Sequence, residues 1–468
     1  MLRNPEFTRN AWVELSLKRL VSLPLLLITV YYLAYTLNED YPVSYLPQLS
    51  ILFYLAFTFL WGTRLAGETV VKEINASTWP FQIMTSMSPT KMAFGKLFGS
   101  TAYIWYGNII CMILYVLSYK INSEKLPVVS NAELLTNVAV FMLIGLLAHI
   151  LPLATSLHSI RWRHFFERFE VTFYQLMGLF MLIPLYAVFL GNKKDRMVSW
   201  YGELYSMKAI AIIFSLIFIA WGIIAIINQI KTEFGQEPYP VSWFLFSISL
   251  VIVLFGLNNY SKSFMFSRYF GTISSLFSLI ALSYITLSGE SNMALRPHLI
   301  SKYYNAKQYK RLFMIMPRSF ITIPIILALV IILNFQLASQ DSDSSVAFIC
   351  VIWAVMLFMV RDFCFIYLWS LFAQGNEKDT TAVPVLISLS TYTVLPAIFY
   401  KLKLYAICPF FIPFFYNGDK TFTFTESAVL TIAPAATEFL IIFVLLVMGL
   451  RKKFRDLKLD EDLQSKSI

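Results

Sequence analysis

Residues 65–100, LAGETVVKEINASTWPFQIMTSMSPTKMAFGKLFGS, form a polar and amphipathic stretch between two apolar runs near 48–66 and 97–118. Both runs are about 20 residues long, the length at which a helix crosses a bilayer. The stretch between them therefore has to lie at the membrane surface or in water. We expect residues 67–100 to be the part of the chain that meets another protein.

Two helix starts are visible inside this stretch. Ser77 or Thr78 is suited to cap a short helix, and the next apolar residues recur on one of its faces. This apolar stripe consists of Trp79, Ile83 and Met87. Ser88-Pro89 joins a capping residue to a proline in the first turn, so a second helix should start there and continue through Lys96 into the next span. Residue types alone fit an interfacial loop with little helix and a docking segment equally well.

A longer pattern runs through the same stretch. It consists of Glu73, then Thr78-Trp79 five positions on, Thr85, Met87-Ser88-Pro89 and Gly95-Lys96. It resembles the cytoplasmic motif of type-2 ABC exporter permeases, which has an acidic residue, Thr, an apolar helix, Thr-Pro-Leu-Ser and Gly-Lys. Ser86 departs from this motif, because it stands where the family usually has its first proline.

The resemblance implies that this segment is a coupling helix that docks on a separate ATPase subunit. The residues implied in coupling are Glu73, Thr78, Trp79, Ile83, Met87, Pro89 and Lys96. The resemblance also implies that the chain forms the translocation pathway of an exporter for an unidentified substrate. Two copies of the ATPase would bind ATP and Mg²⁺, and this chain itself would bind no cofactor.

The composition excludes a soluble globular protein. Of the 468 residues, 58% are hydrophobic and only 14% are charged, whereas soluble domains are about 45–50% apolar. The net charge of +10 does not indicate nucleic-acid binding, because the Lys and Arg residues are scattered through short loops and form no basic domain. We therefore expect an integral membrane protein in contact with lipid.

The apolar runs predict an all-α polytopic fold with about twelve membrane-spanning helices. They lie near 21–37, 48–66, 97–118, 134–157, 171–190, 208–228, 241–258, 269–288, 319–338, 346–372, 383–400 and 427–450. Lys and Arg are more abundant in the intervals on the side of the N-terminus, so both termini should be cytoplasmic. We expect the bacterial cytoplasmic membrane. Residues 7–20 suit an interfacial elbow helix, and 191–207 and 401–426 are candidates for short re-entrant segments.

Polar landmarks recur about 220 residues apart in the chain. Gly67-Glu68 has a counterpart in Gly289-Glu290, and Pro89 has one in Pro317. This spacing predicts two repeats of six spans each, in residues 1–228 and 229–450, followed by a cytoplasmic tail in residues 451–468. Chance similarity between two apolar halves is the alternative.

The second repeat has a cytoplasmic interval near 289–318 that lacks the acidic-Thr-Trp pattern and is far more basic than the first. This interval is either a loop that faces anionic lipid or a second, degenerate coupling element. The residues of such an element would be Arg296, Lys302, Lys307, Lys310 and Pro317.

The sequence contains no pattern for catalysis. It has no GxxxxGK[ST] phosphate loop, and its four histidines are too dispersed for an HExxH helix or a comparable zinc site. ATP hydrolysis is therefore expected only in a partner. Gly95 and Gly99 form a GxxxG step, which allows another helix to approach closely.

Very few ionisable residues lie deep within the predicted spans, and Arg361, Asp362 and Glu438 are the ones of interest. Because Arg361 and Asp362 are adjacent on a helix, we expect them to point in different directions and not to pair. The scarcity of such residues disfavours a proton-coupled transporter. An ATPase-independent secondary transporter, a lipid scramblase and a membrane scaffold without transport activity are the alternatives to a permease.

Overall fold

The fold is described from a computed structural model. The described residues are 4–37, 45–85, 87–121, 129–159, 171–189, 197–236, 241–259, 268–290, 302–309, 311–312, 317–338, 343–372 and 424–466. Among these residues, the secondary structure is helical apart from one two-stranded β-hairpin. The chain divides into two compact units, of which the first comprises residues 1–198 and 204–239 and the second residues 199–203 and 240–468.

The first unit begins with the short helix α1 (Pro5–Glu14) and the long apolar helix α2 (Leu17–Leu37). The next span consists of α3 (Leu46–Leu55), a π-helical segment π1 (Ala56–Gly62) and α4 (Thr63–Asn75). The amphipathic stretch then forms α5 (Trp79–Ile83), α6 (Pro89–Phe94) and a second π-helical segment, π2 (Gly95–Gly99). The unit continues with α7 (Ala102–Ile121), α8 (Asn131–Ser159), α9 (Val171–Leu179), α10 (Leu182–Phe189) and α11 (Met207–Glu233).

The second unit contains α12 (Ser242–Phe255), α13 (Phe270–Glu290), α14 (Arg318–Ala338), α15 (Asp343–Phe372) and α16 (Phe424–Lys466). Helix α13 packs against both α12 and α14, and α15 packs against both α14 and α16. Each of these helices therefore has at least one neighbour that covers part of its apolar surface.

Eight helical stretches of the described residues are long and apolar enough to cross a membrane. They are Leu17–Thr36, Leu46–Asn75, Ala102–Lys120, Asn131–His158, Met207–Glu233, Arg318–Ala338, Phe348–Trp369 and Ile432–Lys452. The prediction of an all-α polytopic membrane protein is confirmed at this level. Twelve spans and two repeats stay predictions, and the run near 383–400 lies outside the described residues, as do residues 401–423.

The predicted fifth span, 171–190, is not one continuous helix. It is interrupted between α9 and α10, where Met181 N donates to Gly178 O and Ile183 N donates to Phe180 O in turn geometry. Pro184 lies in the first turn of α10 and has no N–H with which to continue the helical hydrogen bonds. A proline at this place favours a fresh helix start over an unbroken span.

A β-hairpin occupies residues 197–206, where a re-entrant segment was a candidate. Its strands are β1 (Met197–Trp200) and β2 (Glu203–Ser206). The two-residue loop has positive φ at both positions, 53° at Tyr201 and 86° at Gly202, as a type I′ turn requires. Tyr201 Oη donates a hydrogen bond of 2.6 Å to the carbonyl of Ile252 on α12.

The predicted elbow helix at residues 7–20 is split into two. Helix α1 ends at Glu14, Leu15 leaves the helical conformation, and α2 starts at Leu17. Trp12 on α1 and Leu17 remain largely exposed, as suits apolar residues at a membrane interface.

One apolar core cluster of the first unit lies directly beneath the amphipathic stretch. It joins α4, α5, α6 and π2 to the buried faces of α8 and α11. Its buried members are Val70, Trp79, Met92, Ala93, Leu97, Ile150, Leu153, Leu157, Ile219, Ile226, Ile227 and Ile230. This cluster fixes the position of residues 67–100 relative to two long helices.

Candidate functional site

Helix α1 lies against the glycine face of π2. A Cβ atom on Gly95 would come within 2.6 Å of the Cβ of Glu6, and one on Gly99 within 2.9 Å of the Cβ of Asn10. Side chains at these positions would therefore force the two elements apart. The close helix approach predicted from the GxxxG step is confirmed, and its partner is the N-terminal helix.

The start of α1 is fixed by capping interactions. Asn4 is the N-cap, and its Oδ1 accepts hydrogen bonds from Glu6 N at 3.1 Å and Phe7 N at 3.4 Å. Its Nδ2 donates to the carbonyl of Lys91 on α6 at 2.5 Å. The same side chain thus caps α1 and ties it to the amphipathic stretch.

Lys96 is completely buried, with 0% of its side chain exposed. Its ammonium group lies 3.1 Å from Glu6 Oε1, donates to Gln82 Oε1 at 2.9 Å, and forms an ion pair with Glu73. It also lies 5.2 Å from the centre of the Trp79 ring, within the range of a cation–π contact. We call Glu6, Arg9, Glu73, Gln82 and Lys96 the charge network.

Arg9 closes the charge network from the solvent side. Its Nη2 lies 2.9 Å from Glu6 Oε1 and 2.6 Å from Glu73 Oε1. The two carboxylates are therefore matched by two cations, which leaves the network formally neutral. A buried ammonium is tolerated only with such partners, because removing a charge from water costs several kcal/mol per ion.

Helix α5 turns its predicted apolar stripe inward. Trp79 is buried, and Ile83 and Met87 are partly buried against the same apolar cluster. The large apolar side chains that face outward are instead Phe81, 70% exposed, and Met84, 83% exposed. The stripe thus attaches the segment to its own unit, and Phe81 and Met84 are its large exposed apolar side chains.

The two predicted helix starts are both present, with one difference in capping. Ser88 is the N-cap of α6, where its Oγ accepts from Lys91 N at 3.4 Å, and the buried Pro89 follows it. Thr78 precedes α5, but its hydroxyl donates to Glu73 O at 3.1 Å and caps no α5 amide. Thr78 therefore links α5 back to the end of α4.

The charge network contains three residues that the sequence pattern did not indicate. Glu6 and Arg9 come from the N-terminal helix, 90 residues before Lys96 in the case of Glu6, and Gln82 lies on α5. Glu6 and Arg9 lie on a helix that the sequence places at the membrane interface, and nothing in its residue pattern indicates that they pair with Lys96 and Glu73. The GxxxG step at Gly95 was the available signal that another helix would lie there.

The second candidate coupling element is only partly described. Lys302 and Lys307 are exposed, and Pro317 is buried just before α14. Arg296 and Lys310 lie outside the described residues. The described part of this interval leaves both alternatives open, a lipid-facing loop and a degenerate coupling element.

The expectation that Arg361 and Asp362 do not pair was wrong. Arg361 Nη2 lies 2.8 Å from Asp362 Oδ1, because the long guanidinium side chain folds back to its neighbour on α15. Arg361 also forms an ion pair with Glu438 on α16, and Tyr284 Oη of α13 donates to Asp362 Oδ2 at 2.7 Å. These side chains connect three helices of the second unit at membrane depth.

Comparisons with known proteins give no relative for this chain: no protein-family model, curated protein or solved structure matches it. Within the described part of the chain, no group of three or more His, Cys, Asp or Glu side chains is placed to hold a metal ion. The charge network is therefore interpreted from its own geometry.

The first prediction concerns the ammonium group of Lys96. Replacing Lys96 by Met leaves Glu6 and Glu73 buried with one cation, so the free energy of unfolding should fall by about 3–5 kcal/mol. Chemical denaturation of the purified protein measures the change. Lys91→Met is the matched control, because Lys91 is exposed and its replacement should change the free energy of unfolding little. The free energy of unfolding should fall less in the double variant Glu6→Gln/Lys96→Met than in Lys96→Met alone. An equal or larger fall would contradict the pairing of Glu6 with Lys96.

The second prediction concerns the approach of α1. Gly95→Ala places a methyl group against Glu6 and should lower the free energy of unfolding by about 1–3 kcal/mol. Gly107→Ala is the control, because a Cβ there would come no closer than 3.3 Å to the neighbouring side chains of Phe57 and Leu23. Thermal denaturation of both variants tests this, and equal melting temperatures would show that α1 does not depend on the glycine face.

Proposed function

We propose that this chain is the permease subunit of an ATP-binding cassette transporter and that it contacts the ATPase subunit through residues 67–100. The observation that carries the proposal is that motif residues up to 23 positions apart come together around Lys96. The buried ammonium group of Lys96 contacts both Glu73 and the ring of Trp79, and the segment that these residues hold presents Phe81 and Met84 outward. Such an arrangement makes a firmly anchored segment that exposes two large apolar side chains.

The geometry supports a division of roles among the motif residues. Glu73, Trp79 and Lys96 act as positioning residues, because their charged and aromatic groups are turned into the unit. Phe81 and Met84 are exposed and are the residues that contact the ATPase in this proposal. A force on them is transmitted through α5 and the charge network to π2, and from π2 to α7, which begins at Ala102 just after π2 ends at Gly99.

ATP and Mg²⁺ belong to the partner in this proposal, and two ATPase subunits serve two repeats of six spans. The chain forms the pathway for the substrate, and export is the direction that the family resemblance implies. We place the protein in the bacterial cytoplasmic membrane with both termini in the cytoplasm, as the distribution of Lys and Arg favours.

A secondary transporter is the second candidate, and one observation favours it. Arg361, Asp362 and Glu438 form ion pairs at membrane depth in the second unit. Ionisable groups at this depth often mark ion or proton pathways. The same residues also join α15 to α16. This structural role is compatible with an ABC permease as well as with a secondary transporter.

The third prediction tests the docking surface. Phe81→Ala/Met84→Ala should abolish co-purification of the ATPase subunit while leaving the melting temperature of the permease unchanged, since both side chains are exposed. Met197→Ala/Leu204→Ala on the hairpin is the matched control, because it removes two other exposed apolar side chains. If a wild-type preparation from its native membrane never carries an ATPase, a transporter without ATPase is favoured.

The fourth prediction compares the two cytoplasmic intervals. Phe81→Ala/Met84→Ala should remove the nucleotide hydrolysis that depends on the permease far more completely than Lys302→Ala/Lys307→Ala, because only the first interval keeps the motif. Each permease variant is reconstituted in vesicles, the ATPase subunit is added at a fixed concentration, and the hydrolysis in excess of that of the ATPase alone is measured. Equal losses would assign coupling to both intervals.

A further inference from the structure

A group of buried polar side chains surrounds Thr58, in the middle of π1. The carbonyl of Thr58 accepts the amide of Thr63, five residues later, in the π-helical register. The ring Nε2 of His149 on α8 lies 3.3 Å from the same carbonyl oxygen. Both Thr58 and His149 are completely buried.

Helix α7 contributes two more members of this group. Asn108 Nδ2 donates a hydrogen bond of 2.9 Å to Thr58 Oγ1, and Asn108 is also completely buried. Trp105 lies one turn earlier on α7, and its ring meets the His149 ring edge-on with the centroids 5.3 Å apart. Asn108 and His149 thus converge on Thr58, and Trp105 flanks His149.

Three polar atoms of this group are buried and have no hydrogen-bond partner among the residues that the structure describes: His149 Nδ1, Asn108 Oδ1 and Trp105 Nε1. Buried polar groups are almost always hydrogen-bonded, so three in one place require an explanation. Their chemistry is also complementary. Because a carbonyl only accepts, the His149 Nε2 that faces Thr58 carries the proton, and Nδ1 of the neutral ring is an acceptor.

Asn108 Oδ1 is the second acceptor, because the amide nitrogen of Asn108 already donates its hydrogen bond to Thr58 Oγ1. Trp105 Nε1 is a donor only. The group therefore offers two acceptors and one donor. A molecule that donates two hydrogen bonds and accepts one satisfies all three atoms, and a water molecule does so with its two O–H groups and one lone pair.

We propose that Trp105, Asn108 and His149 form a binding site for one ordered water molecule beside the π-helical carbonyl of Thr58. The water donates to His149 Nδ1 and Asn108 Oδ1 and accepts from Trp105 Nε1. The hydroxyl group of a lipid or another alcohol shares this chemistry, but it has a single O–H and satisfies at most two of the three atoms.

The surrounding sequence is adapted to bring His149 to this place. A Cβ atom on Gly62, the last residue of π1, would lie 2.2 Å from His149 Nε2. Only glycine at this position lets the imidazole reach the Thr58 carbonyl. The water then connects α8 to α7 at the point where the second span changes from α-helical to π-helical register, and the inference does not depend on the proposed ATPase coupling.

Nitrogen-15 magnetic resonance of histidine tests the site in the whole protein. The variant His158→Gln/His164→Gln/His298→Gln leaves His149 as the only histidine, and vesicles of phosphatidylcholine contain no lipid hydroxyl. We expect the Nδ1 resonance to be shifted upfield from that of an imidazole nitrogen with a bare lone pair, and to receive magnetisation from water protons.

Four other outcomes overturn the proposal. An Nδ1 resonance at the position of a bare lone pair means that no hydrogen bond exists, and a doubly protonated ring means that Nδ1 is a donor. An upfield resonance without transfer from water identifies another donor. If the transfer appears only after a lipid with a free hydroxyl is added, the site takes that hydroxyl and the assignment to water is wrong.

Two tryptophan variants separate the site from general effects on the spectrum. Trp105→Phe keeps the ring but removes the donor, and we expect the magnetisation transfer to His149 to be reduced. Trp61→Phe is the matched control, because Trp61 is partly exposed on π1 and stacks edge-on with Tyr103 instead. Unchanged transfer in Trp105→Phe would remove Trp105 from the site.

Discussion

The burial of one ammonium group determines how the first unit is assembled around residues 67–100. Lys96 has no access to water, so its charge has to be balanced by groups that the protein supplies. Glu6, Glu73 and Gln82 provide those groups from three separate elements, and Arg9 balances the second carboxylate. Moving any one of α1, α4 or α5 away would remove one of the three groups that accept a hydrogen bond from the buried ammonium group.

The same constraint explains why glycine and aromatic residues accompany the charges. Glu6 reaches Lys96 because Gly95 and Gly99 let α1 lie directly on π2. Trp79 covers the ammonium with its ring face while the rest of the indole packs in the apolar cluster beneath. The result is a segment that is anchored by buried polar side chains and that exposes two large apolar ones, Phe81 and Met84.

Much of the architecture could be predicted from the sequence because it depends on local patterns. Long apolar runs gave the helices, Ser88-Pro89 gave a helix start, and Gly95 and Gly99 gave a close approach. The partners of Lys96 could not be predicted, because pairing between Glu6 and Lys96 is a tertiary contact with no local signature. The inward orientation of Trp79 also depends on α8 and α11, and Arg361 pairs with Asp362 because of side-chain length, which helical position alone does not reveal.

The position of Glu6 near the start of the chain has a consequence for synthesis. Glu6 leaves the ribosome long before Lys96, so during that interval α1 has a carboxylate without its buried partner. The closing contact forms only when the third long apolar run begins to emerge. Docking of α1 on π2 therefore cannot precede the synthesis of the third apolar run, and a nascent chain that stops before residue 96 lacks the residue that completes it.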